Sequence, residues 1–129
     1  MKPKTLTDII FEAEAPYDNP YQGEDKRVLF VCSAGLLRSA TAARIYAEKY
    51  NTRAAGSSEY ALIPVSDNLI AWADEIVFVS QANYDEVCKR FDMNDIDKTK
   101  PSVVLNIPDE YYHMHPDLIK AFEEQYEDL

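Results

Sequence analysis

The stretch that most constrains this chain runs from Arg27 to Ala43 and reads RVLFVCSAGLLRSATAA. Four strand-forming residues, Val28–Val31, stop at Cys32, and a short loop then leads into an alanine-rich segment with the composition of a helix. A strand, a tight loop and a helix N-terminus make an anion site, because the first helical N–H groups lack intrahelical partners and the helix dipole favours negative charge. The stretch therefore predicts a phosphate-binding loop with a thiol at its start and the Arg38 guanidinium near its end.

Five residues separate Cys32 from Arg38, which fits a Cys-x5-Arg phosphate loop. The loop amides and Arg38 are expected to stabilise a thiolate, which is the nucleophilic form of cysteine. Arg38 can bind two phosphate oxygens at once, and the Ser39 hydroxyl can stabilise the sulfur as a leaving group. A buried cysteine beside a surface arginine is the plainer interpretation, but the strand, the loop and the serine favour the first. The loop positions predicted to bind phosphate are Ser33, Ala34, Gly35, Leu36 and Leu37.

A leaving oxygen needs a proton, so a carboxylic acid must lie opposite the thiol. Asp109, in the stretch IPDEYYHMH, is the candidate general acid, and the neighbouring Glu110 is the alternative. Tyr111 and Tyr112 could line a slot for a flat aromatic ligand, although both would be equally ordinary as core or surface residues.

Strands and helices alternate along the chain after this loop. Such alternation predicts βαβ units and an α/β fold with a parallel sheet. Ligands bind at the carboxyl ends of the strands in these sheets, so Cys32 and Asp109 are expected at the same edge. The expected later strands are 52–55, 75–79 and 102–105, and the expected helices are 39–50, 67–73, 81–91 and 117–126.

The 129 residues and their 47% hydrophobic content predict one globular domain. Proline and glycine interrupt residues 1–26, which we expect to form an N-terminal extension that packs on a domain of residues 27–129. The net charge of −10 argues against nucleic acid or an anionic membrane as a partner. No apolar run is long enough for a signal peptide or a membrane span, and two cysteines make no disulfide framework, so we expect a cytoplasmic protein.

Three stretches resemble the low-molecular-weight protein tyrosine phosphatases. VLFVCSAGLLRSATAA is similar to the family's phosphate loop, V-C-x-G-N-x-x-R-S-P-x-A. Residues 54–60 (AAGSSEY) resemble S-A-G-T-S-x-[WY] and imply that Tyr60 belongs to the aromatic wall of the pocket. Residues 109–112 (DEYY) resemble the D-P-Y-Y segment that carries the general acid and two pocket tyrosines. Gly35 replaces the family's loop asparagine, Ala54 replaces a serine and Glu110 replaces a proline.

The resemblance implies a three-layer sandwich of the phosphotyrosine protein phosphatase I type, with four parallel strands in flavodoxin-like order. It also implies hydrolysis through phosphocysteine, without metal or cofactor. The expected substrate is a phosphotyrosine-containing protein or a small aryl phosphate.

Three other classes share parts of this pattern. Thioredoxin-coupled arsenate reductases need two further cysteines, whereas Cys88 is the one cysteine outside the loop. Sugar-phosphotransferase carriers of the B type have a similar C-S-A-G loop, but they lack an arginine at the position of Arg38 and have no use for Asp109. A phosphotyrosine-binding module without turnover would need neither thiol nor acid. His113 and His115 are more typical of a solvent-facing loop than of a metal site.

Overall fold

A computed structural model describes residues 26–34, 37–47, 49–61, 63–91 and 101–127. Within these ranges, four strands form one all-parallel sheet in the order β2-β1-β3-β4, which confirms the predicted α/β class and is compatible with a flavodoxin-like layout. The strands are β1 (Arg27–Cys32), β2 (Asn51–Gly56), β3 (Glu75–Phe78) and β4 (Ser102–Val104). The helices are α1 (Arg38–Ile45), α2 (Asp67–Trp72), α3 (Gln81–Arg90) and α4 (Pro116–Phe122), the last followed by a π-helical turn at Glu123–Glu127.

Strand β1 lies inside the sheet and is covered on both faces. It pairs with β2 on one side and with β3 on the other. Val28 and Phe30 pack in a core with α1 and α4, whereas Leu29 and Val31 pack in a second core with α2 and α3. All four side chains are fully buried. A strand buried on both faces has no reason to alternate with polar residues, which explains the uninterrupted apolar run in the sequence.

Helix α1 is shorter than the sequence predicts, because it ends at Ile45 rather than Tyr50. Beyond Ile45 the chain forms a tighter turn, in which Ala47 N donates to Arg44 O, three residues earlier, at 3.3 Å. Asn51 N then donates to Lys26 O at 2.9 Å, which starts β2 beside β1. Helical propensity alone would continue the helix, but the pairing of β2 with β1 ends it earlier.

Helix α2 begins as predicted. The Ser66 side chain accepts a hydrogen bond from Leu69 N at 3.2 Å and caps the helix. Pro116 opens α4, one residue before the predicted start at 117. The helical segment then departs from regular α geometry at Glu123, in the π-helical turn where Tyr126 is buried.

The segment after β4 continues along the sheet toward the carboxyl edge. Leu105 N donates to Phe78 O at 2.8 Å, and Ile107 N donates to Val79 O at 2.9 Å. These two bonds extend the β3–β4 ladder and bring Asp109 to the edge where β1 ends. The predicted N-terminal extension, apart from Lys26, lies outside the described residues, as do residues 92–100. No helix in the described part of the chain is long and apolar enough to span a membrane.

Candidate active site

Cys32 and Ser39 form the centre of the candidate site. Cys32 is the last residue of β1 and is 3% exposed, and its Sγ lies 3.0 Å from Ser39 Oγ. The Ser39 hydroxyl also lies 3.5 Å from Ala55 O, to which it can donate. The hydroxyl can therefore turn from the carbonyl to the sulfur when the sulfur carries a negative charge. The contact would stabilise a thiolate leaving group.

The Arg38 guanidinium joins three parts of the site. It is 4% exposed, although it belongs to the first turn of α1. Its Nη1 donates to Ile107 O at 2.8 Å, and its Nη2 donates to Ser33 Oγ at 3.3 Å. Its Nε lies 3.7 Å from Asp109 Oδ1. Because a buried charge needs partners, these contacts fix the guanidinium in one place beside the loop.

The two candidate acids face different partners. Asp109 pairs with Arg38 and keeps 62% of its side chain exposed, so its carboxylate lies beside the guanidinium and is open to solvent. Glu110 instead acts on Tyr111: burial and the neighbouring Glu110 carboxylate raise the pKa of the Tyr111 hydroxyl. This division favours Asp109 over Glu110 as the group nearest the loop.

Thr41 attaches the segment that carries Asp109 (the acid-bearing segment, 109–114) to α1. Its fully buried hydroxyl donates to Leu37 O at 2.8 Å and accepts from Met114 N at 2.8 Å. Met114 has a φ of 63°, which is uncommon for a residue with a side chain and costs backbone energy. His113 Nδ1 lies 3.4 Å from the same hydroxyl. Sequence reasoning missed Thr41, although a threonine inside an alanine-rich helix is a recognisable signal for a side chain that bonds to backbone.

The loop after β2 lies directly against the predicted phosphate loop. Ser57 N donates to Cys32 O at 2.7 Å, and Ser58 N donates to Ser33 O at 3.2 Å. A Cβ on Gly56 would lie 2.7 Å from Ser33 O and 2.9 Å from the carbonyl carbon of Ala34. Glycine at this position therefore permits the close approach of the two loops.

The predicted loop and pocket residues differ in their exposure. Ser33 and Ala34 are exposed, Leu37 is 40% exposed, and Gly35 and Leu36 lie outside the described residues. Tyr60 is 89% exposed and Tyr112 is 65% exposed.

Of the two tyrosines that follow Glu110, Tyr111 is half-buried against the core that contains α1 and α4. The Tyr112 ring packs edge-on against His115, with centroids 4.5 Å apart. His115 also accepts from Asp117 N through Nδ1, at 3.0 Å, and so caps α4.

Among the described residues, no group of three or more histidine, cysteine, aspartate or glutamate side chains is placed to hold a metal ion. Comparison with protein-family models, with curated proteins and with solved structures gives no match to this chain.

Proposed function

We propose that this protein is a cysteine-dependent phosphomonoester hydrolase of the low-molecular-weight protein tyrosine phosphatase type, with the corresponding phosphatase I-like fold. The observation that carries the proposal is the 3.0 Å contact between Cys32 Sγ and Ser39 Oγ beside a buried Arg38 that reaches both Ser33 and Asp109. A nucleophile, an oxyanion ligand and a proton donor are the three groups that this hydrolysis needs.

In the first step the Cys32 thiolate attacks phosphorus. A sulfur–phosphorus bond forms while the bond from phosphorus to the ester oxygen breaks, and the protonated Asp109 carboxyl gives its proton to the leaving oxygen. Arg38 and the loop amides bind the equatorial oxygens, where charge accumulates in the transition state. The products of this step are a free alcohol and phosphocysteine.

In the second step water replaces the sulfur. The Asp109 carboxylate takes a proton from the water as its oxygen attacks phosphorus, and the sulfur–phosphorus bond breaks. The Ser39 hydroxyl donates to the departing thiolate, a role supported by its distance from Cys32 Sγ. Inorganic phosphate leaves, and Asp109 is protonated again for the next cycle.

The position of Cys88 bears on the arsenate reductase alternative. Cys88 is half-buried on α3 and packs against the core on the side of the sheet that holds α2 and α3. Cys32 belongs to the core on the opposite side. A disulfide relay outward from Cys32 has no support in this placement, so hydrolysis is the better proposal.

We further propose phosphotyrosine-containing proteins or small aryl phosphates as substrates, in the cytoplasm. Tyr60 and Tyr112 support this class, because both rings are exposed and the resemblance assigns both positions to the pocket, where a ring can pack against an aromatic leaving group. The acidic surface expected from a net charge of −10 would favour peptides with basic residues around the phosphotyrosine.

Replacement of the nucleophile tests the proposal, with Cys88→Ser as the matched control. Cys32→Ser should lose turnover of p-nitrophenyl phosphate by several orders of magnitude while still binding tungstate, because a serine hydroxyl is a far weaker nucleophile than a thiolate. Cys88→Ser should hydrolyse the substrate at the wild-type rate. Phosphotyrosine and phosphoserine peptides assayed in parallel report the substrate class. Full activity in Cys32→Ser would contradict the mechanism.

A further inference from the structure

A buried polar side chain on α3, that of Asn83, contacts Ser33 in the predicted phosphate loop. Asn83 is 2% exposed, and its Nδ2 donates to Ser33 Oγ at 3.2 Å and to Ser57 Oγ at 3.0 Å. Its Oδ1 accepts from Ser80 Oγ at 2.7 Å. Three different segments supply the hydrogen-bond partners of this amide. Burial of an amide costs free energy unless such partners are in place, and packing of the core does not require an amide here.

The directions of these hydrogen bonds follow from the chemistry of their ends. Ser57 Oγ lies 2.5 Å from Glu86 Oε1, and because an ionised carboxylate only accepts, the Ser57 hydroxyl donates to it. The Ser57 oxygen is then an acceptor for the Asn83 amide. Ser80 donates to the other end of that amide, so the –NH₂ group of Asn83 is directed at the loop.

Ser33 therefore receives two hydrogen bonds from groups that can only donate. Its Oγ accepts from Asn83 Nδ2 at 3.2 Å and from Arg38 Nη2 at 3.3 Å. A hydroxyl oxygen has two lone pairs and one hydrogen, so both acceptor positions of Ser33 are occupied and its hydrogen remains to donate. Ser33 is exposed at the predicted anion site, so an oxyanion is the natural acceptor for that hydrogen.

We propose that Asn83 is a positioning residue that keeps the Ser33 hydroxyl oriented as a hydrogen-bond donor to the oxyanion bound in the loop. The proposal rests on the phosphate loop of the proposed function and adds a side-chain ligand to its backbone amides and Arg38. Asn83 acts on the anion only through Ser33. Loss of either residue should remove the same hydrogen bond.

The test is a double-mutant cycle on tungstate affinity, measured by titration calorimetry with the full chain. Ser33→Ala should weaken tungstate binding by about 10- to 100-fold, the range for one hydrogen bond to a charged group. Asn83→Ala should weaken it in the same direction, and the double variant should be no worse than Ser33→Ala alone. Asn68→Ala, at an exposed position of α2, is the control and should bind as wild type.

An isosteric variant separates positioning from simple support of the fold. Asn83→Asp retains the shape, but its carboxylate accepts the Ser33 hydrogen and turns it away from the anion, so tungstate binding should fall at least as far as in Asn83→Ala. Melting temperatures of all variants, measured alongside, report any unfolding. Additive losses in the double variant, or wild-type affinity in Ser33→Ala, would overturn the positioning role.

The cycle also distinguishes this inference from the proposed hydrolase. If the Ser33→Ala and Asn83→Ala losses of tungstate affinity are coupled but the wild-type protein hydrolyses no phosphomonoester, the proposed hydrolase function is contradicted and the role of Asn83 is supported. Normal turnover that depends on Cys32, with no coupling between Ser33 and Asn83, would contradict the positioning role and support the hydrolase. Absence of tungstate binding by the wild-type protein would overturn both.

Discussion

At the scale of single residues, Arg38 links the segments that carry the proposed nucleophile, Cys32, and the proposed acid, Asp109. One guanidinium contacts the loop through Ser33, the segment after β4 through Ile107, and the carboxylate of Asp109. A lysine ammonium is compact and could not span three such partners in one plane. The spacing of Cys32 and Arg38 was readable in the sequence, but these partners were not, because they come from positions far along the chain.

The role of Asp109 can be tested on substrates that differ in leaving group. Asp109→Asn should lower kcat for phenyl phosphate by about 10²–10⁴-fold, because a poor leaving group depends on general acid catalysis. The loss should be much smaller for p-nitrophenyl phosphate, whose leaving oxygen needs less help. Steady-state kinetics gives kcat for each substrate, and the ratio of kcat for phenyl phosphate to kcat for p-nitrophenyl phosphate reports the loss of general acid catalysis.

Glu110→Gln is the matched control for Asp109→Asn, since it removes one neighbouring carboxylate that faces Tyr111 instead of Arg38. We expect this variant to retain the wild-type ratio of the two rates. If Glu110→Gln shows the larger loss on phenyl phosphate, the general acid is Glu110.

At the scale of elements, α1 organises both halves of the site. Its first turn presents Arg38 and Ser39 to the loop, and one turn later Thr41 binds the backbone of Met114. The helix therefore fixes the segment that carries Asp109 relative to Cys32. Sequence pattern predicted the helix and the loop before it, because both are local. It did not predict the attachment at Thr41, which joins residues 73 positions apart in the chain.

Thr41→Val tests this attachment with almost no change in shape. Removal of the hydroxyl leaves Met114 N without its acceptor and should cost about 1–3 kcal/mol in the free energy of unfolding. Asp109 should also become less well placed, so kcat for phenyl phosphate should fall by more than kcat for p-nitrophenyl phosphate.

Thr52→Val provides the comparison for Thr41→Val. Thr52 is also buried, and its hydroxyl donates to Ala43 O at 2.7 Å, away from the acid-bearing segment. This variant should lose stability but keep the wild-type ratio of the two rates. Equal ratios in the two valine variants would show that the Thr41 attachment does not position the acid.

At the scale of the whole molecule, the parallel sheet was the most predictable feature. Apolar runs such as Val28–Val31 predict buried strands, and short βαβ connections leave few alternative topologies. The sequence was less informative about where elements end: α1 stops at Ile45, where pairing of β2 with β1 overrides helical propensity. It was silent about Asn83, whose contact with Ser33 spans 50 positions.

The edge of the sheet opposite the candidate site holds a group of ionisable residues, of which Glu75 and Tyr126 are buried. Glu75, at the start of β3, accepts from Tyr126 Oη at 2.6 Å through Oε1 and from Lys26 Nζ at 2.8 Å through Oε2. Burial, followed by the hydrogen bond to Glu75 and its charge, raises the pKa of Tyr126 well above its usual range. Burial and the Glu127 carboxylate act in the same direction on the pKa of Tyr46. The folded protein therefore resists loss of both protons.

This raised pKa predicts how stability changes in alkaline solution. The unfolded chain releases the Tyr126 proton above about pH 10, the usual value for tyrosine, whereas the folded chain retains it. The stabilisation is thus complete below about pH 10 and declines as pH rises toward the folded pKa.

Tyr126→Phe should cost about 1.5–3 kcal/mol in the free energy of unfolding near pH 7, because it removes a hydrogen bond to a charged acceptor. Denaturant unfolding from pH 7 to 11.5 should show the gap between wild type and Tyr126→Phe narrowing above pH 10, while Tyr60→Phe, at an exposed position, stays parallel to wild type. A gap that stayed constant or widened above pH 10 would contradict a raised pKa of Tyr126 in the folded state.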